Sequence, residues 1–237
     1  MTAATPAEAS GGAPVPAAAL LLDLDGTILD TATDLTTAVN RTLDELGRSP
    51  VRETSVRAWI GDGVRALVRQ ALEATGGGSE RDLDHAHERF MIHYGDCFAD
   101  ASTPYADVLE TLAAFREAGV PMAVVTNKAA AFTEPLLEAT GLRPLLDVVI
   151  SGDSAPAKKP DPAPVLAALE RMGAEPAASV LVGDSRNDTE AGLRAGCRVV
   201  CVAYGYNRGE DPHDLGGERV VDRFGDLRAV IRPAVEV

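Results

Sequence analysis

Short apolar runs recur along the chain at residues 19–24, 121–126, 147–151, 179–183 and 198–203. Each is bounded by polar or turn-forming residues. Runs of this length that are apolar throughout suit strands buried on both faces. Between them, apolar residues fall at helical spacing over 108–118, 129–140, 162–172 and 189–195. Strand and helix in alternation predict right-handed crossovers and a parallel sheet, an α/β fold. Such sheets place their sites beyond the carboxyl ends of the strands, and the polar clusters of this chain sit there.

One stretch breaks the alternation. Residues 33–101 are helical in pattern throughout, with breaks at 47–50, 61–63 and 76–79. Several helices without a strand cannot all pack on one sheet face. They predict a small helical cap inserted after the first strand and perched over the strand ends. The expected organisation is a tail over 1–17, a core over 18–32 and 102–237, and a cap over 33–101. The tail is rich in Ala, Pro, Ser and Gly and lacks basic residues and a long apolar run, so it reads as mobile chain and not as a signal peptide.

Composition narrows the picture. Hydrophobic residues make up 46% of the chain but aromatics only 4%, so the core must be built from Val, Leu, Ile and Ala. The net charge of −14 repels nucleic acid and anionic lipid, and neither is an expected partner. An anionic substrate would need local cations to reverse that field. No run is long enough to span a membrane. The three cysteines, Cys97, Cys197 and Cys201, are too few for a disulfide framework and fit reduced thiols in a cytoplasmic protein.

Four polar clusters follow the strands. Asp23-Leu24-Asp25-Gly26-Thr27 sets two carboxylates side by side, a repulsion that a divalent cation relieves; Mg²⁺ prefers such hard oxygen ligands. Asp23 can serve as a nucleophile, and Asp25 is placed to protonate a leaving alcohol and later to deprotonate water. The same residues also suit an ordinary turn. In Thr126-Asn127-Lys128 a hydroxyl, an amide and main-chain N–H groups can cradle phosphate oxygens, or simply cap a helix. Lys158-Lys159-Pro160-Asp161-Pro162 offers a lysine on a stiffened loop, or a solvated basic pair. In Gly183-Asp184-Ser185-Arg186-Asn187-Asp188, Asp184 can complete the metal's carboxylate set. Asp188 can orient Lys159 or a water on the metal, or can interact with a helix dipole. The joint occurrence, in this order and each after a strand, is far more specific than any one cluster.

The set resembles the haloacid dehalogenase superfamily, in which all four motifs occur in this order, and the insert resembles that superfamily's first type of cap. The likeness extends toward bacterial phosphoglycolate phosphatases through Trp59-Ile60-Gly61, Ala195-Gly196-Cys197 and Tyr204-Gly205-Tyr206-Asn207. It implies a Rossmann-like parallel sheet core with a helical cap. It implies Asp23 as the phosphorylated nucleophile, Asp25 as acid/base, and Mg²⁺ on Asp23, Asp184 and the Asp25 carbonyl. Thr126, Asn127 and Lys159 would hold the phosphoryl group. The implied reaction is hydrolysis of a small phosphorylated metabolite, 2-phosphoglycolate first, through an aspartyl phosphate. A sugar phosphate or N-acetylmuramic acid 6-phosphate is an alternative substrate. A phosphomutase or a non-catalytic binding module is an alternative role.

The cap must read the rest of the substrate. Arg65 matches an arginine of the family's cap and is expected to pair with a substrate carboxylate, or else to face solvent. Asp62 stands where phosphoglycolate phosphatases often carry Asn, and would disfavour a carboxylate if it pointed inward. His85 and His87 point to different sides of a helix, which excludes a shared metal. Trp59 is expected to pack within the cap. Asp107, where glycine is frequent in the family, is expected to cap the helix that follows.

Overall fold

A computed structural model of the chain describes residues 13–234. The expected tail over 1–12 lies outside the described residues. Its last part needs correction, because Val15–Ala17 forms strand β1. β1 runs parallel to β10, Ile231–Pro233, with Val15 opposite Ile231. Val15 and Ala17 alternate into the core with no exposure, while Pro16 sits where a missing N–H is tolerated. An Ala- and Pro-rich composition hides this two-residue alternation.

The remaining elements, in chain order, are β2 Ala19–Leu22, β3 Leu29–Asp30, α1 Ala32–Glu45, α2 Glu53–Trp59, α3 Val64–Ala74, α4 Glu80–Gly95, β4 Thr103–Pro104 and α5 Val108–Glu117. They continue with β5 Met122–Val125, α6 Ala130–Ala139, β6 Val148–Ile150, α7 Ala163–Met172, β7 Ser179–Gly183, α8 Arg186–Ala195, β8 Arg198–Val202, β9 Arg219–Val221 and α9 Leu227–Val230. The main sheet has the order β6-β5-β2-β7-β8-β9, and all its pairings are parallel. Every residue of β2, β5 and β7 is buried, as the apolar runs require.

Alternate strand residues face different helices. Leu20, Leu22, Val124 and Val182 pack with Val108, Leu112 and Phe115 of α5 and Leu136 of α6. Leu21, Ala123, Val125 and Leu181 pack with Val165 and Leu169 of α7 and Ala191 of α8. From β2 the chain runs outward first through β5 and β6, then returns and runs the other way through β7, β8 and β9. The reversal leaves a crevice beside the carboxyl end of β2, where ligands bind in open sheets of this kind.

Helices α1 to α4 form their own apolar cluster around Leu43, Val68, Leu83, Phe90 and Tyr94. Phe132 of α6 and Tyr206 of the core join that cluster, so cap and core share a wall. The two connecting segments pair as the antiparallel strands β3 and β4. The buried carboxylate of Asp34 accepts from Ala101 N (3.0 and 3.1 Å), Ser102 N (2.8 Å) and Ser102 Oγ (2.6 Å), tying the start of α1 to the return linker. Trp59 packs partly buried on the cap cluster, as expected. Asp107 does not cap α5 with its side chain. Its backbone is left-handed (φ 66°), and its carboxylate accepts from Arg223 at 2.6 Å instead.

Candidate active site

The ends of β2, β5 and β7 and the loop before α7 deliver their polar residues to one crevice. Its walls include Asp23, Asp25, Thr126, Asn127, Lys128, Lys159, Asp184 and Asp188 from the core. The cap contributes Leu35, Ile60, Gly61, Gly63, Val64 and Leu67, which form an apolar roof. The crevice is partly open to solvent.

Lys159 organises one side. Its ammonium donates to Asp23 Oδ1 and to Asp188 Oδ1, both at 2.6 Å. Burial opposes its charge, but Asp188 and Asp23 outweigh burial and hold its proton more tightly than usual. The other oxygen of Asp188 accepts from Ser185 Oγ (2.6 Å), Ser185 N (3.1 Å) and Asp184 N (3.3 Å). Asp188 thus opens α8 as a capping box with Ser185 and fixes Lys159 with its second oxygen. The two alternative sequence readings of Asp188, a carboxylate that orients Lys159 and a helix-start carboxylate, are both compatible with this position.

Asp184 accepts from Thr27 Oγ1 at 2.7 Å and from Tyr206 N at 2.5 Å. Close approach of backbone to this carboxylate requires glycine twice. At Gly26 (φ 92°) and at Gly205 a Cβ atom would collide with Asp184. The carboxylates of Asp23, Asp184 and Asp188 can bring one oxygen each within 4.8 Å of one another. Burial, opposed by Lys159 and reinforced by Asp188 and Asp25, raises the Asp23 carboxyl from 3.8 to about 7. Burial, then Asp188 and Asp23, raise the Asp184 carboxyl as well. The three carboxylates could hold a metal ion that takes hard oxygen ligands.

On the opposite side, Asp25 Oδ1 accepts from Thr31 Oγ1 at 2.7 Å and from Lys128 Nζ at 3.2 Å. Thr126 is buried, and its hydroxyl accepts from Lys128 N at 3.2 Å. The Asn127 side chain is committed elsewhere. It donates to Gly61 O (2.8 Å) and Lys159 O (2.9 Å) and accepts from Lys159 N (2.9 Å). With its amide spent on bracing the lysine loop and the cap, it can offer a phosphate only its main chain.

Two cap expectations fare differently. The structure does not bring Arg65 to the crevice. Its guanidinium pairs with Asp84 (2.7 Å) and Glu80 (3.1 Å), because its position on α3 faces α4 and not the core. Asp62 turns away from the crevice too. It accepts from Asn187 Nδ2 at 2.8 Å and pairs with Arg208 at 2.7 Å. Asn187 and Arg208 also reach the carbonyls of Gly61 and Ile60, so the cap loop is fastened to the core from both sides.

Lys128, Thr27, Thr31, Asn187, Tyr206 and Arg208 were not assigned site roles by sequence reasoning. Thr27, Lys128, Asn187 and Tyr206 lie inside stretches that carried the resemblance, and that was the available signal. Nothing in spacing or composition marks Arg208.

Known proteins resemble the chain over most of its length. A family model described as haloacid dehalogenase-like hydrolase matches residues 20–202. A phosphoglycolate phosphatase of Nitrosospira multiformis is 44% identical over 222 residues, covering 92% of this chain and 97% of that protein. One from Thiobacillus denitrificans is 41% identical over 226 residues, covering 93% and 98%. A solved structure from Haemophilus somnus, described as a predicted phosphoglycolate phosphatase, superposes with a TM-score of 0.86 at 32% identity, covering 90% of this chain and 97% of that one.

Proposed function

The chain belongs to the haloacid dehalogenase-like hydrolase family, and from that premise and the crevice we propose that it hydrolyses 2-phosphoglycolate to glycolate and phosphate. One observation carries this reading: Asp23 accepts from the buried Lys159 ammonium in a crevice that Asp25 and Asp184 also line. The relatives named for this activity supply the substrate.

Asp23 attacks phosphorus, the bond from phosphorus to the ester oxygen breaks, and Asp25 gives that oxygen its proton. Water then attacks the aspartyl phosphate, passes a proton to Asp25 and releases inorganic phosphate and free Asp23. Lys159, the Thr126 hydroxyl and the main chain of Asn127 steady the phosphoryl oxygens, so catalysis is mainly positioning and electrostatics. Asp188 keeps Lys159 aimed.

The donor set fits Mg²⁺. Hard carboxylate oxygens converge, and the proton affinities of Asp23 and Asp184 mark uncompensated charge. Asp23, Asp184 and the Asp25 carbonyl would hold the ion. Asp188 is less suited as a ligand because its two oxygens already accept four hydrogen bonds, one of them from the Lys159 ammonium. When bound, Mg²⁺ would supply charge stabilisation to the phosphoryl group. Residues 33–101 act as a cap that shuts over the crevice, turning about the paired linkers β3 and β4. No helix among the described residues is long and apolar enough to cross a membrane. That observation and the three buried free cysteines suit a cytoplasmic enzyme.

A panel of phosphate esters tests the reading, run with Mg²⁺ and with chelator. It includes 2-phosphoglycolate, sugar phosphates and N-acetylmuramic acid 6-phosphate. The expected result is Mg²⁺-dependent turnover with the highest kcat/KM for 2-phosphoglycolate, and none for Asp23→Asn. Undiminished turnover by Asp23→Asn would remove the aspartyl phosphate route. A higher kcat/KM for a sugar phosphate would move the substrate assignment.

A further inference from the structure

A substrate carrying a carboxylate needs a cation to meet it, and the cap does not supply one. Its contribution to the crevice is Leu35, Ile60, Val64, Leu67 and two glycines. The nearby arginines are spent elsewhere: Arg57 on Asp30 and Glu53, Arg65 on Asp84 and Glu80, Arg208 on Asp62. Among the described residues that line the crevice, the cations are Lys128 and Lys159. Lys159 lies between Asp23 and Asp188, at the phosphoryl end.

We propose that Lys128 is the specificity-determining residue that binds the substrate's carboxylate, and that the substrate class is a phosphorylated α-hydroxy acid. This rests on the phosphatase reading above and says how the site would recognise such a substrate. The Lys128 side chain is only 3% exposed, yet it borders the crevice. Its ammonium lies 3.2 and 3.4 Å from the two oxygens of Asp25 and 4.8 Å from the centre of the Tyr94 ring. Among the described residues Asp25 is its only ion-pair partner, so an ammonium with three N–H groups retains capacity for a second carboxylate. The aromatic face and the carboxylate hold the cation in place.

Distance then selects the substrate. Asp25 meets the ester oxygen across one hydrogen bond. In a phosphorylated α-hydroxy acid the carboxylate carbon is only two covalent bonds, roughly 2.5 Å, from that oxygen. A cation adjacent to Asp25 therefore reaches this carboxylate, whereas a carboxylate set further along the chain would be carried past it. The apolar roof keeps water from the ion pair and strengthens it. It also offers no partner to the hydroxyls of a sugar phosphate.

The test compares 2-phosphoglycolate with 2-hydroxyethyl phosphate, its neutral counterpart, in wild-type protein and in Lys128→Met, with Mg²⁺ present. Losing the contact to Asp25 lowers turnover of both esters, so the readout is the ratio of their kcat/KM values. That ratio is expected to favour 2-phosphoglycolate strongly in wild type and to fall about 10- to 100-fold in Lys128→Met, the value of a charged hydrogen bond. An unchanged ratio in the variant, with the wild-type preference present, overturns the role of Lys128 and leaves the phosphoglycolate reading standing. No preference in wild type overturns the phosphoglycolate reading and this proposal with it. Should Lys128→Met fail to fold, the wild-type protein decides with the phosphate ester of 3-hydroxypropionate. At least about a tenfold lower kcat/KM than for 2-phosphoglycolate is expected, and equal values would overturn the proposal.

Discussion

A Mg²⁺ ion held as proposed would compete with protons for the carboxyls of this crevice, and the structure sets the terms. In the metal-free protein the Asp23 carboxyl rises from 3.8 to about 7, chiefly through burial, with Lys159 opposing and Asp188 and Asp25 reinforcing. The difference of about 3 pH units makes ionised Asp23 cost about 4 kcal/mol more in the fold than in the unfolded chain. Below 3.8 the group is protonated in both states and contributes nothing. As pH rises from there toward about 7, the unfolded chain releases its proton while the fold retains it, so metal-free stability declines. Above that range the full cost stands. Such an ion would have to displace this proton, so its apparent affinity should fall about tenfold per pH unit below about 7. Asp184 is raised in the same direction, by burial and by Asp188 and Asp23, which can only steepen the slope. Calorimetric Mg²⁺ titration from about pH 5.5 to about pH 8.5, in two buffers of different ionisation heat, measures both affinity and protons released. More protons released at the acid end than at the alkaline end are expected. Affinity that is independent of pH, with no proton release, would refute the claim that buried carboxyls hold the ion.

Three further outcomes follow from particular contacts. Asp34→Ala strands the N–H groups of Ala101 and Ser102. It should cost about 3 kcal/mol, read as a drop of roughly 9 °C in thermal melting. Gly205→Ala drives a Cβ atom into Asp184 and should weaken Mg²⁺ binding at least about tenfold while leaving the far-UV spectrum unchanged; an unaltered Mg²⁺ affinity would count against Asp184 as a ligand. Asp62→Asn should leave kcat/KM for 2-phosphoglycolate within about threefold, since Asp62 faces Arg208 and the pair is 35% and 45% exposed. A large gain in that assay would mean that the Asp62 carboxylate repels the substrate after all.

Sequence and tertiary structure divide this protein along a physical line. Sequence determined what depends on local order: apolar runs became β2, β5 and β7 because a strand buried on both faces admits few polar residues. It also placed Asp23, Thr126 and Asp184 at strand ends, since each follows its run directly. Short edge elements escaped it. β1, β3, β4, β9 and β10 are two or three residues long, too short for a period to show, and are stabilised by partners distant in the chain. The direction of a side chain was equally out of reach. Arg65 turned to α4, Asp62 to Arg208, the Asn127 amide to the lysine loop, and Lys128 to Asp25. Each of those pairings spans 15 residues or more, and only tertiary packing, within the cap, within the core or between the two, decides which group meets which.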